Sequence, residues 1–312
     1  MAKIVLWEWN VELPEYVLWL FCTLPVIMKR IAFVFVAALL GMECLAQSKV
    51  VTDAVPSKAL GRDVNVSVYL PDGYDVAKHY PVLYLLHGLY GTHKDWPSVG
   101  GLPGVADELI ASGEAAAMVV VMPCAGDPDV HNVQNGYFNM PGYRYEDFFF
   151  QELIPAMEAK YNCGGSKGQR AVQGLSMGGG GCVVYAQRHP DVFSSCYGMS
   201  GWLANDAPQP QGQQVDTNDK LYIVSQSVAE HSALAYIDNA TPEVVESLRT
   251  VKWFIDCGDD DFLLKLSMDL YMKMRMKGIK CELRVRDGAH TWEYWHTALR
   301  LSLPFASRNF YE

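Results

Sequence analysis

One hexapeptide limits the architecture of this chain more than any other feature. It reads Gly174-Leu175-Ser176-Met177-Gly178-Gly179, with the short strand pattern Arg170–Gln173 before it and a helical pattern, Ser176–His189, after it, ended by Pro190. A G-x-S-x-G spacing between a strand and a helix marks a nucleophile elbow, a sharp, strained turn that lifts a serine hydroxyl above the end of a sheet. Glycine is needed two residues to either side, because a Cβ there would clash in so tight a turn. The alternative is a Gly-rich turn without chemistry.

Around this elbow, strands and helices alternate. Arg62–Leu70 alternates polar and apolar residues, like a half-buried strand, while Pro81–Leu86 and Ala117–Met122 are continuous apolar runs, as expected for strands covered on both faces. Val192–Met199, Val251–Cys257 and Lys280–Arg286 read as further strands, and Tyr145–Tyr161, Phe262–Lys277 and His290–Phe305 as helices. The alternation predicts an α/β fold with a mostly parallel central sheet and helices on both faces. No repeat or linker interrupts it, so residues 47–312 are expected to form one domain, with Asp206–Asn218 a surface loop. Half of the residues are apolar, enough for a large core. A net charge of −10 and the lack of a long basic run argue against a nucleic-acid partner.

The first 46 residues read differently. Lys29-Arg30 follow Met28, the apolar run Ile31 to Met42 comes next, and Cys44 and Ala46 supply small residues before Gln47. This is the pattern of a secretory signal peptide over residues 28–46, cleaved near Ala46, which predicts a secreted or periplasmic mature protein. The run is shorter than the ~20 residues that span a bilayer, so no membrane span is expected in the mature chain. Residues 1–27 form an upstream segment, and Met28 is the expected start. Six cysteines remain after cleavage: Cys124, Cys163, Cys182, Cys196, Cys257 and Cys281. Export permits disulfides, but spacing does not fix their pairing, and several sit in apolar strands as small core residues would. No Cys/His cluster calls for a metal, and no cofactor is expected.

A serine nucleophile needs a base, and the base needs an orienting acid; in this kind of fold they follow in the order Ser, Asp or Glu, His. His290, in the loop after the last strand, is where an imidazole can reach the serine. His189 would point away, His231 lies in a region of uncertain structure, and His296 sits inside the last helix. For the acid, Asp256, Asp259, Asp260 and Asp261 compete at the end of the preceding strand, with spacing favouring Asp261 and Asp259 second. Asp256 falls within the strand, and Asp259 and Asp260 suit turns or helix caps. The oxyanion donors are expected to be the N–H groups of Met177 and of Leu89, the latter in the loop His87-Gly88-Leu89-Tyr90-Gly91. His87 precedes the serine and suits a structural role in that loop. Tyr90, Trp96 and Trp202, together with Tyr137 and Phe138, fall in loops near the expected active edge, where they could stack on a substrate or line the core.

Several segments together resemble one family, the esterases that include carbohydrate esterase family one, the S-formylglutathione hydrolases and the mycolyltransferases. They are Leu86-His87-Gly88, Asp95-Trp96, Tyr145-Glu146-Asp147-Phe148, Glu152-Leu153-Ile154-Pro155, the elbow, Asp256-Cys257-Gly258 with Asp261-Phe262-Leu263, and Gly288-Ala289-His290-Thr291-Trp292-Glu293-Tyr294-Trp295. The resemblance implies an α/β-hydrolase fold and a triad of Ser176, His290 and Asp261, since the family's acid precedes a Phe-Leu-like pair. The acidic triplet Asp259-Asp260-Asp261 departs from the family's usual single acidic residue before the catalytic one. Hydrolysis of acetyl or feruloyl esters through an acyl-enzyme is what the resemblance implies, with an acylated carbohydrate as the expected substrate. The alternatives are an acyltransferase of the mycolyltransferase type, an S-formylglutathione hydrolase-like thioesterase, and a carbohydrate-binding relative without turnover.

Overall fold

The computed structural model describes residues 48–126, 136–205 and 216–311. The expected signal peptide and the segment before it lie outside the described residues, as does most of the Asp206–Asn218 loop. Ten strands are found among the described residues: β1 (Lys49–Ser57), β2 (Arg62–Leu70), β3 (Val82–Leu86), β4 (Val119–Pro123), β5 (Asn139–Met140), β6 (Tyr143–Arg144), β7 (Arg170–Leu175), β8 (Ser195–Met199), β9 (Lys252–Gly258) and β10 (Cys281–Arg286). β5 and β6 form a small separate hairpin, and the others build an eight-stranded sheet in the order β1-β2-β4-β3-β7-β8-β9-β10. β1 pairs antiparallel with β2 and β2 with β4; from β4 to β10 every pair is parallel. Gln47–Glu312 is one compact unit.

The apolar runs decide where the sheet sits. β3 and β4 are buried at every position, which requires cover on both faces. Along β3 the pleat sends Val82, Tyr84 and Leu86 into one core and Leu83 and Leu85 into the other. The helices are α1 (Asp95–Ser98), α2 (Leu102–Ala111), α3 (Tyr145–Asp147, continued by Phe148–Leu153 and Ile154–Tyr161), α4 (Met177–Arg188), α5 (Lys220–Glu230), α6 (Ala233–Asp238), α7 (Pro242–Arg249), α8 (Leu264–Met276) and α9 (Trp292–Arg308). Residues of α3 through α8 fill the first core, and residues of α2 and α9 the second.

Several features differ from the expected pattern. The Tyr145–Tyr161 helix widens into a π-helix over Phe148–Leu153, just before Pro155, which has no N–H to continue an α ladder. β1 was not expected; it is an edge strand with only Val55 and Ser57 buried, so its apolar alternation is faint. Helices α5 to α7 were also not expected, although each begins at a legible cap. Asp219, Ser232 and Thr241 accept the N–H of Tyr222, Ala235 and Val244, as N-cap side chains do.

Register brings the chemistry to one edge. Leu86 pairs with Gly174, Leu175 with Met199, Met199 with Asp256, and Gly258 with Arg286. The carboxyl ends of β3, β7, β8, β9 and β10 therefore finish together, and Gly88, Ser176, Ser200, Asp261 and His290 lie just past them. The six cysteines of the described residues are buried and unpaired, with Cys182 and Cys196 in contact at 3.9 Å between sulfurs. No helix of the described residues is long and apolar enough to cross a membrane.

Candidate active site

Ser176 occupies the turn from β7 to α4 with φ 54° and ψ −119°, a backbone conformation that side chains rarely adopt and that needs support. The support is main-chain: Ser176 N–H donates to Met199 O, and Ser176 O accepts from Gly180 N and Trp202 N, each at 2.9 Å. The flanking glycines are required by close approach. A Cβ on Gly174 would lie 2.4 Å from Gly178 O, and one on Gly178 2.5 Å from His87 O.

His290 Nε2 lies 2.9 Å from Ser176 Oγ, and its Nδ1 lies 2.9 Å from Asp261 Oδ2. The loop after β9 makes this possible, because the Asp261 side chain is fully enclosed while the His290 side chain keeps 20% of its surface open. Asp261 Oδ1 accepts the Leu263 N–H at 2.8 Å. Burial pushes the Asp261 carboxyl up, but hydrogen bonds from His290, Leu263 N–H and Ser200 outweigh it and hold the group below the usual carboxylate range.

The other acidic residues of this segment have different work. Asp256, wholly buried in β9, is paired with Arg284 at 2.5 Å and accepts hydrogen bonds from Tyr197 Oη at 2.5 Å and from Tyr294 Oη. Asp259 Oδ1 accepts the Gly288 N–H at 3.0 Å and so braces the loop that carries His290. Asp260 is exposed. The structure thus brings Ser176, His290 and Asp261 together and leaves Asp259 outside that line.

Met177 opens α4, so its N–H is one of the four at a helix start without an intrahelical acceptor. Leu89 and Gly88 line the cleft above Ser176. His87 holds their loop from below. Ala125 N–H donates to its Nε2 at 2.9 Å, which leaves the proton on Nδ1 to donate to Gly88 O at 2.7 Å. The other histidines downstream of Ser176 face elsewhere: His189 Nε2 meets Glu146 at 3.3 Å, His231 bonds Ser227 O, and His296 bonds Gly100 O.

The cleft has a volume of about 390 Å³. Its walls are mostly apolar and aromatic: Leu89, Tyr90, Leu175, Trp202, Phe262 and Trp292. Tyr90 and Trp202 are therefore where a substrate would meet them. Trp96 is not, which corrects the expectation that it binds substrate. It is 1% exposed and donates Nε1–H to Leu86 O at 3.0 Å; Trp292, packed edge-on against it at 5.4 Å, takes the place in the cleft. Tyr137 and Phe138 are also core residues, Tyr137 donating to His87 O at 3.0 Å.

Sequence reasoning missed Trp292, Trp295, Phe262, Leu263 and Ser200. Four of the five lie within five residues of the base or the acid in sequence, and that nearness was the available signal. Ser200 gave less. It follows β8 with φ 47°, is fully buried, and accepts the Trp295 Nε1–H at 3.1 Å.

Comparison with known proteins agrees with this geometry. A solved ferulic acid esterase is 47% identical and superposes with a TM-score of 0.80, the match covering 85% of this chain and 99% of that one. The endo-1,4-beta-xylanase/feruloyl esterase of Xylanibacter ruminicola is 27% identical over 249 residues; the match takes in 78% of this chain but only 29% of that protein's length. The diacylglycerol acyltransferase/mycolyltransferase Ag85B of Mycobacterium leprae is 26% identical over 278 residues, 80% of this chain and 81% of that one. The model of the Putative esterase family matches residues 57–306. The chain belongs to the Putative esterase family.

Proposed function

We propose that this esterase uses Ser176 as its nucleophile and removes feruloyl-type aromatic acyl groups from carbohydrate. The observation that carries the reading is the line of hydrogen bonds from Asp261 through His290 to Ser176 on the floor of an aromatic cleft. His290 accepts the Ser176 proton as Oγ attacks the ester carbonyl, and Asp261 steadies the resulting imidazolium without taking its proton. The N–H groups of Leu89 and Met177 receive the oxyanion. Collapse expels the alcohol, which takes the proton from His290 and leaves an acyl-enzyme. Water, deprotonated by His290, then releases the free acid and restores Ser176.

The volume of about 390 Å³ exceeds what an acetyl group fills, and the indole and phenyl walls suit a flat aromatic acyl chain. The likeness to a ferulic acid esterase at 47% identity supports the same choice. Export completes the proposal, since the Met28-Lys29-Arg30 start and the Ile31 to Met42 run suit a cleaved signal and polysaccharide esters lie outside the cell.

Methyl ferulate and acetylated xylan, assayed side by side with the wild type and Ser176→Ala, test this reading. Ser176-dependent release of ferulate in preference to acetate is the expected result. Equal rates in the two proteins would overturn the nucleophile, and a preference for acetate would overturn the acyl group. N-terminal sequencing of exported protein should begin at Gln47.

A further inference from the structure

Asp95 is the one carboxylate among the described residues lining the cleft. Its position is fixed from several sides. Oδ1 accepts from Thr92 Oγ1 at 3.1 Å, its N–H donates to Thr92 O at 3.2 Å, and its carbonyl accepts from Gly100 N at 2.9 Å. The next residue, Trp96, is locked in the core by its bond to Leu86 O. Among the described residues Oδ2 accepts no hydrogen bond. Gly91 packs directly against it and covers it with no side chain, because a Cβ there would stand 2.6 Å from Oδ2.

A carboxylate oxygen held in an aromatic cleft is stable while water solvates it. A bound ester displaces that water, and binding is weakened unless the ester brings a hydrogen-bond donor of its own. An apolar ring leaves the oxygen unsatisfied, and a second carboxylate is repelled. A hydroxyl group is neutral and can donate.

We propose that Asp95 is a specificity-determining residue that accepts a hydrogen bond from a hydroxyl group of the ester. This deepens the feruloyl reading and rests on it. The hydroxyl has two possible sources, the phenol of the acyl group or the sugar that leaves. A site built around a substrate hydroxyl rejects an analogue lacking it far more strongly than an apolar pocket rejects a missing methylene.

The test measures kcat/KM for wild type, Asp95→Ala and Asp95→Asn on three esters. Methyl ferulate against methyl 3,4-dimethoxycinnamate reads the phenolic hydroxyl; feruloylated arabinose against methyl ferulate reads the sugar. Ratios within each pair cancel any general loss of activity. In wild type one pair should favour its hydroxylated member, and in Asp95→Ala that ratio should fall about 10- to 100-fold, the range of a hydrogen bond to a charged group. Asp95→Asn, which keeps a carbonyl oxygen, should fall less. The pair that moves identifies the source. A wild type active on these esters with no preference in either pair, or ratios within about twofold of wild type in both variants, overturns the assignment alone. A wild type inert toward all three esters while cleaving p-nitrophenyl acetate overturns the feruloyl reading and this assignment with it.

Discussion

The His290 ring stands perpendicular to Trp295, with centroids 4.8 Å apart and planes at 88°. The same indole donates its Nε1–H to Ser200 Oγ, and Ser200 is one of the donors that hold the Asp261 carboxyl down. One buried side chain thus orients the base by contact and steadies the acid through a hydroxyl.

Replacing Trp295 separates these effects. Trp295→Phe keeps a ring edge against His290 but loses the N–H, and kcat should fall several-fold with KM nearly unchanged. Trp295→Ala frees the imidazole as well, and a misplacement of about 1 Å is enough to lower the rate ~10²-fold. Steady-state kinetics on p-nitrophenyl acetate decide the matter; a larger effect in the Phe variant than in the Ala variant would contradict it.

The acidic triplet gives a second contrast. Asp261→Asn should lower kcat by about 10⁴, since an amide cannot hold the required tautomer. Asp259→Asn should stay within about threefold, because its side-chain oxygen only accepts the Gly288 N–H and an amide oxygen accepts equally well. A reversal of the order would move the acid to Asp259.

Glycines on two helices should respond with opposite signs. A Cβ on Gly180 would meet Trp202 O at 2.1 Å, so Gly180→Ala must push the β8–α5 connection away from the elbow and should destabilise by about 1–3 kcal/mol. Gly104, exposed in α2, has nothing within 4 Å of such a Cβ. Gly104→Ala should stabilise by up to about 1 kcal/mol through helix propensity and a less flexible unfolded chain. Urea unfolding of the two variants checks both signs.

Acid should loosen the oxyanion loop before it touches the triad's carboxylate. Burial pushes the His87 imidazole below the ordinary histidine value, against smaller upward pulls from Gly88 O and Asp95. Below that ordinary value, 6.5, the unfolded chain binds a proton that the folded protein refuses. Stability is therefore complete above it and falls as pH drops, by up to about 1.4 kcal/mol per pH unit for this group, levelling once the folded ring titrates. Asp261 lies below the usual carboxylate range and enters only at lower pH. Denaturation measured between about pH 5 and 8 should show this slope in wild type and a weaker one in His87→Gln.

Legibility followed the locality of the constraint. The elbow, its flanking glycines, the buried strands and the loop that carries His290 are each set by residues within a few positions of one another, so pattern alone located them. Sheet order and register are long-range, yet the alternation of strands and helices implied the parallel core. Trp96 shows the limit. An aromatic in a loop beside the active edge can turn either way, and the choice was made by Leu86 O, ten residues distant, which takes its indole proton. Ser200 was hidden for a related reason, because its partners Trp295 and Asp261 come from other elements of the fold.

The unpaired sulfurs have a practical meaning. Burial pushes the thiols of Cys163, Cys257 and Cys281 up to about 12, so in the native protein they are neither exposed nor nucleophilic. A maleimide or disulfide reagent can label them only in molecules that have opened, and the pace of labelling becomes a clock for opening events. Because these six carry no cross-link to break, the clock can run in dithiothreitol-prepared protein without altering the fold it times.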